Sequence, residues 1–166
     1  MSYTIPPQTH IGHVHLKVSD LDRALSFYKG ILGFELTQKF GDSAAFISAG
    51  GYHHHIGLNT WFSKNAPPPP RHSTGLYHTA VVYPTRRDLA VVLQRLIDAK
   101  YPLTGTADHG VSEALYLDDP DGNGVELYWD KPKEMWPYDP AGNLQMVTEH
   151  LDIENLLEEI KAGSPV

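Results

Sequence analysis

Residues 12–36 read GHVHLKVSDLDRALSFYKGILGFEL, and the order of elements in this stretch decides the fold. GHVHLKV alternates as a strand does, so His13 and His15 share one face while Val14 and Leu16 share the other. Asp20 then supplies a helix N-cap ahead of LDRALSFYKGILG, where Leu21, Ala24, Leu25, Tyr28 and Leu32 recur at helical spacing. Gly33 ends that helix, since glycine readily takes the left-handed conformation that closes a last turn. FELTQKF, SAAFISAG and HHHIGLNTW follow, rich in aromatic and branched residues and bounded by glycines, which predicts three strands.

The same order returns in the second half. LYHTAVVY reads as a strand and RRDLAVVLQRLIDAK as a helix with Leu89, Val92, Leu93, Leu96 and Ile97 on one face. YPLTGTA, EALYLDD and GVELYWD read as strands, the last two joined through DPDGNG at 119–124 by hairpin chemistry. His13 and His78 occupy equivalent first strands 65 residues apart, so a duplicated βαβββ unit is the simplest account. The expected fold is α+β: two paired βαβββ modules forming a cupped, barrel-like mixed sheet, with a helical tail. The modules span 9–62 and 75–130. Between them, 63–74 carries four consecutive prolines that favour an extended linker, and 131–166 forms a crossover and a C-terminal helix. In that tail Ile153, Leu156, Leu157 and Ile160 share a face and Gly163 is the stop; it is expected to pack on the sheets or on a second subunit.

Composition narrows the function classes. The chain has 166 residues, a formal charge of −7 and no basic cluster, which argues against nucleic acid or an anionic membrane surface as partner. No apolar run approaches the roughly 20 residues needed to span a bilayer. The N-terminus lacks signal-peptide character and there is no cysteine, so cytoplasmic residence is expected and thiolate ligands are excluded.

The chemistry lies in three strands, each carrying one metal-capable side chain: His13, His78 and Glu126. Two imidazoles and a carboxylate hold a divalent metal on one face and leave other positions open. A lone strand histidine is more often hydrogen-bonded structure, and the repeat is what makes these two a pair. Glu126 stands among Val125, Leu127 and Trp129, where a carboxylate is costly unless a cation or strong donor meets it. In the run at 53–55, strand alternation places His53 and His55 on one side and His54 on the other. Tyr116, ten residues before Glu126 across the hairpin, brings a phenol toward the same place.

With these residues in view, the chain resembles the vicinal oxygen chelate superfamily, and within it the type I extradiol dioxygenases of the catechol 2,3-dioxygenase kind. The resemblance spans about residues 10–130. It rests on GHVHLKVSDLDRALSFYKGILGFEL, on LYHTAVVYPTRRDL, and on HGVSEALYLDDPDGNGVELYW with HG, Tyr, DPxGN and Glu in order. It implies metal ligands at His13, His78 and Glu126, an acid–base histidine at His54 with His55 as the fallback, and supporting roles for Tyr116 and His109. It implies Fe(II), with Mn(II) or another divalent metal as the alternative. An aromatic diol and O2 would be the substrates, in aromatic catabolism, and a homodimer or higher homo-oligomer the assembly. The chain departs from many such enzymes in lacking two preceding modules, and its HG-to-Tyr spacing is about two residues short. Glyoxalase I-like lyases or isomerases and small-molecule-binding resistance proteins share the fold. Glyoxalase I enzymes place a fourth ligand where this chain reads IGLN, so a three-ligand site points to the dioxygenase arrangement, although His55 could fill the gap.

Overall fold

Asp20 caps the first helix as its sequence position demands, its carboxylate accepting from the Arg23 N–H at 2.9 Å. In the computed structural model, which describes residues 3–70 and 72–162, the chain divides into two compact units, Met1–Pro67 and Pro68–Val166. The first runs β1 (Val14–Lys17), α1 (Leu21–Leu25), a π-helical turn (Ser26–Ile31), β2 (Glu35–Phe40), β3 (Ala44–Ser48) and β4 (Ile56–Asn59). Its sheet has the order β1-β4-β3-β2, with β1 and β4 parallel and the other pairs antiparallel.

The second unit repeats that topology. It runs β5 (Thr79–Val82), α2 (Arg86–Asp98), β6 (Gly105–Asp108), β7 (Ser112–Asp118) and β8 (Gly124–Asp130), with sheet order β5-β8-β7-β6 and the β5–β8 pair parallel. A 3₁₀ turn (Lys133–Met135) and α3 (Ile153–Ala162) follow. The architecture is therefore α+β, two βαβββ units with four-stranded mixed sheets and a C-terminal helix. Among the described residues no helix is long and apolar enough to cross a membrane.

Several boundaries differ from the sequence expectation, each for a physical reason. His13 and His78 lie one residue ahead of β1 and β5 rather than inside them. The run 53–55 is a bend ahead of β4, not strand: the Thr37 hydroxyl, not a neighbouring strand, binds the His53 carbonyl at 3.0 Å. The first helix widens after Leu25, with Leu32 N–H reaching back five residues to Phe27 O at 3.0 Å. That extra residue per turn lets Phe27 join Tyr28 in the core, while Leu25 is only partly buried.

On α2, Ala90 is buried in company with Leu89, Val92, Leu93 and Leu96, whereas Ile97 is 47% exposed in the last turn. Residues 63–65 belong to a turn bound to the first unit through Ser63 Oγ to Val18 O and Asn65 N to Ser19 O, both 2.9 Å. The tail helix packs on α2. Leu156 is its buried residue, and Ile153, Leu157 and Ile160 are half-buried. Arg86 fixes it there, its guanidinium donating to Glu113 (2.8 Å), Glu159 (2.9 Å) and Asn155 (2.9 Å). The expected stop at Gly163 lies outside the described residues.

Candidate metal centre

In the second unit the β5–β8 pairing sets Ala80 beside Glu126, with His78 just ahead of β5, and the β7–β8 register sets Tyr116 directly across from Glu126. Along β8, Val125 and Leu127 face the core, so Glu126 projects from the opposite face. There His78 Nε2 lies 3.0 Å from Glu126 Oε2. The Tyr116 hydroxyl donates to Glu126 Oε1 at 2.8 Å, and His109 Nε2 is 2.7 Å from that same hydroxyl. Four of the side chains singled out from sequence thus form one continuous polar chain.

Its electrostatics are set by burial and by the Glu126 carboxylate. Burial first, and then the hydrogen bond and charge of Glu126, push the Tyr116 phenol well above the usual tyrosine range, so it stays protonated. His78 Nδ1 is buried and makes no hydrogen bond. Two ligands about 2.1 Å from one divalent ion and at right angles to each other stand about 3 Å apart. The His78–Glu126 spacing matches that, and an imidazole with a carboxylate is a donor set that Fe(II), Mn(II) and Zn(II) accept. This pair therefore fits a metal.

The first unit assembles rings instead. His13 lies 4.5 Å from His54, centroid to centroid, and His54 lies 5.0 Å from Phe46. His53 Nδ1 is 2.7 Å from His54 Nδ1. Slight burial and then the neighbouring imidazoles, His13 foremost, draw the His54 pKa below its ordinary value. His55 is occupied elsewhere: its Nδ1 meets Ser48 Oγ at 3.0 Å and the Ala49 N–H at 3.3 Å, and its own N–H and carbonyl bind Ile47 and Val14. So the structure sets His54, not His55, against His13.

The structure thus brings together His78, Glu126, Tyr116 and His109, and separately His13 and His54. Among the described residues there is no group of three or more His, Asp or Glu side chains able to hold a metal. Sequence reasoning passed over two features. His15 lies flat on Gly57, where an added Cβ would come within 2.9 Å of its ring, with Phe46 and Trp61 at 5.9 and 5.8 Å. The Asp108–Lys131 ion pair, 2.7 Å, borders the loop that carries His109. The alternation that put His15 on the face of His13 was the available signal for the first; the second joins residues 23 apart and left none.

The sequence pattern of the Glyoxalase/Bleomycin resistance protein/Dioxygenase superfamily matches residues 10–127, and the chain belongs to that superfamily. It is 44% identical over 156 residues, 94% of its length, to catechol-2,3-dioxygenase of Bacillus subtilis, and it spans about half (54%) of that longer protein. It is 30% identical to biphenyl-2,3-diol 1,2-dioxygenase 3 of Rhodococcus globerulus, over 81% of this chain and 71% of that one. Among solved structures, a glyoxalase/dioxygenase from Nostoc punctiforme superposes with a TM-score of 0.64 at 17% identity, covering 80% of this chain and 99% of the other. That likeness carries the fold.

Proposed function

We propose that this chain is a divalent-metal-dependent extradiol dioxygenase, with His13, His78 and Glu126 as ligands, Fe(II) as the metal and Mn(II) as the second choice. The observation that carries the reading is the chain from His78 through Glu126 and Tyr116 to His109, with links of 3.0, 2.8 and 2.7 Å. A divalent metal held by these residues would supply a Lewis-acidic centre for vicinal oxygens and O2. Glu126 accepts the Tyr116 hydrogen bond on one oxygen and leaves the other for the cation. Tyr116, held as a phenol, orients an oxygen of an aromatic diol through its hydroxyl. His54, beside His13 and with its pKa drawn below the ordinary imidazole value, takes a proton from a diol hydroxyl and returns it.

The 44% identity to a protein named for catechol cleavage supports the substrate class. Cytoplasmic residence belongs to the same reading, supported by the absence of cysteine. So does self-association, supported by apolar side chains as open to solvent as Ile11 (92%), Phe62 (90%) and Tyr77 (89%).

The test is oxygen uptake and product analysis with anaerobically Fe(II)-loaded protein and a panel of substituted catechols. Ring opening next to the two hydroxyls, rather than between them, is the expected result. No oxygen uptake across the panel, together with turnover of a glutathione hemithioacetal, replaces this reading with the lyase one.

A further inference from the structure

His109 sits in the loop between β6 and β7, and that loop is held from outside by the segment after β8. Asp108 N–H donates to Glu149 O (3.0 Å), Glu149 N–H to Asp108 O (2.9 Å), and Val147 N–H to His109 O (3.1 Å). Lys131, the residue after β8, donates to Val111 O through its backbone (2.8 Å) and to both Asp108 oxygens through its ammonium (2.7 Å each). Asp108 Oδ1 also accepts the Gly110 N–H at 2.8 Å. Gly110 has φ +75°, and an added Cβ there would meet Pro137 Cγ at 2.9 Å, so the later segment closes directly on the loop.

The result is read at the ring. His109 Nδ1 is 2.8 Å from the Val147 carbonyl oxygen, which has no proton to give, so the ring proton sits on Nδ1. In the neutral imidazole Nε2 is then a bare acceptor, 2.7 Å from the Tyr116 hydroxyl. Tyr116 has one proton and two acceptors within reach, Glu126 Oε1 and His109 Nε2, so it donates to one of them at a time. An Asp–Lys pair with side chains only 28% and 14% exposed sacrifices hydration, and it fixes geometry in return.

We propose that Lys131 and Asp108, together with the backbone of residues 147–149, are positioning groups for His109: they hold its imidazole as the Nδ1–H tautomer and keep Nε2 aimed at the Tyr116 hydroxyl. The effect on turnover rests on the role given to Tyr116 above; the tautomer does not.

The experiment has two readouts. Ring ¹⁵N spectra of the whole protein loaded with diamagnetic Zn(II) report which His109 nitrogen carries the proton. Steady-state kinetics of the Fe(II) form with a catechol report the consequence. Expected are Nδ1–H in the wild type and a mixture of tautomers in Lys131→Met. The metal content and KM of that variant should stay within about twofold while kcat falls about 10- to 100-fold, the range for groups that orient a site residue. Lys131→Arg should recover most of that loss. Nε2–H in the wild type overturns the proposal, as does a folded Lys131→Met with an unchanged tautomer. Should Lys131→Met not fold, Asp108→Asn is read by the same spectrum and the same criteria, and should neither fold, the wild-type tautomer decides. A wild type that cleaves no diol removes the functional reading and leaves the spectrum to judge the tautomer by itself.

Discussion

The two units share strand order and pairing, yet they place different chemistry at matching register. In the second unit Ala80 pairs with Glu126, and the carboxylate organises His78, Tyr116 and, through Tyr116, His109. In the first, His15 pairs with Gly57 at the corresponding place, and the His15 ring lies where a side chain at Gly57 would start. The first unit thus carries the large side chain on its first strand and the small one on its last, and the second reverses the arrangement. Duplication kept the backbone ladder, which tolerates either choice, while the side chains diverged into a hydrogen-bonded chain on one side and a set of packed rings on the other.

The largest break in this comparison comes from removing the carboxylate or an imidazole. Glu126→Ala, His78→Ala and His13→Ala are each expected to lose tight metal binding while the fold persists, as measured by metal analysis of anaerobically loaded protein and by circular dichroism. Near-stoichiometric metal in any one of them takes that residue out of the ligand set. Next in size is His54→Phe. It should keep its metal and lose roughly 10²–10⁴-fold in turnover, the usual contribution of a positioned acid–base group. His53→Phe should cost far less, and His55→Phe should appear mainly as about 1 kcal/mol of lost stability, because His55 is bonded to Ser48 and Ala49.

A third experiment moves the carboxylate across. Gly57→Glu should destabilise the protein by about 1–3 kcal/mol, since its Cβ meets the His15 ring. Combining it with His15→Ala should recover most of that cost, so denaturation of the four proteins of a double-mutant cycle should show strong non-additivity. Strict additivity would mean that the two residues do not compete for the same space.

The smallest effect is electrostatic. Burial pushes the Asp108 carboxyl up, but Lys131 and the Gly110 N–H outweigh it and hold it below the usual carboxylate range. A depressed folded-state pKa contributes stability above the unfolded pKa, and that contribution is lost as pH falls through the folded one. The Tm advantage of wild type over Asp108→Asn should therefore be full near neutrality and shrink in acid. An advantage that does not vary with pH would show that the pair acts through shape and not charge.

Much of this was legible in the sequence because local signals agreed. Asp20 caps its helix, the alternation at 12–18 and 124–130 marks core-packed strands, and Asp119 and Asn123 build the turn they advertise. Tyr116 and Glu126 were readable as neighbours because a short hairpin fixes register. The histidine run was not, because strand propensity says nothing of a Thr37 hydroxyl taking a carbonyl from another strand's neighbourhood. Nor was the π-helical turn, since heptad-like spacing is blind to one added residue, and the burial of Phe27 is its mark. The Asp108–Lys131 pair and the return of residues 147–149 are tertiary events with no periodic trace.

Asn123 and Gly124 form the dipeptide in which a side-chain amide is lost most readily, because the unhindered glycine nitrogen can attack the preceding carboxamide. Asparagine is accordingly counted among the thermolabile residues. Here the Asn123 amide donates to Asp119 Oδ2 at 2.9 Å, and Gly124 is paired with Asp118 in the ladder, so the attack geometry is reached when the hairpin opens. Chemical ageing at Asn123 is then a slow clock. The fraction deamidated in stored protein, read by peptide mapping, records how often the strand that carries Glu126 comes loose at its start.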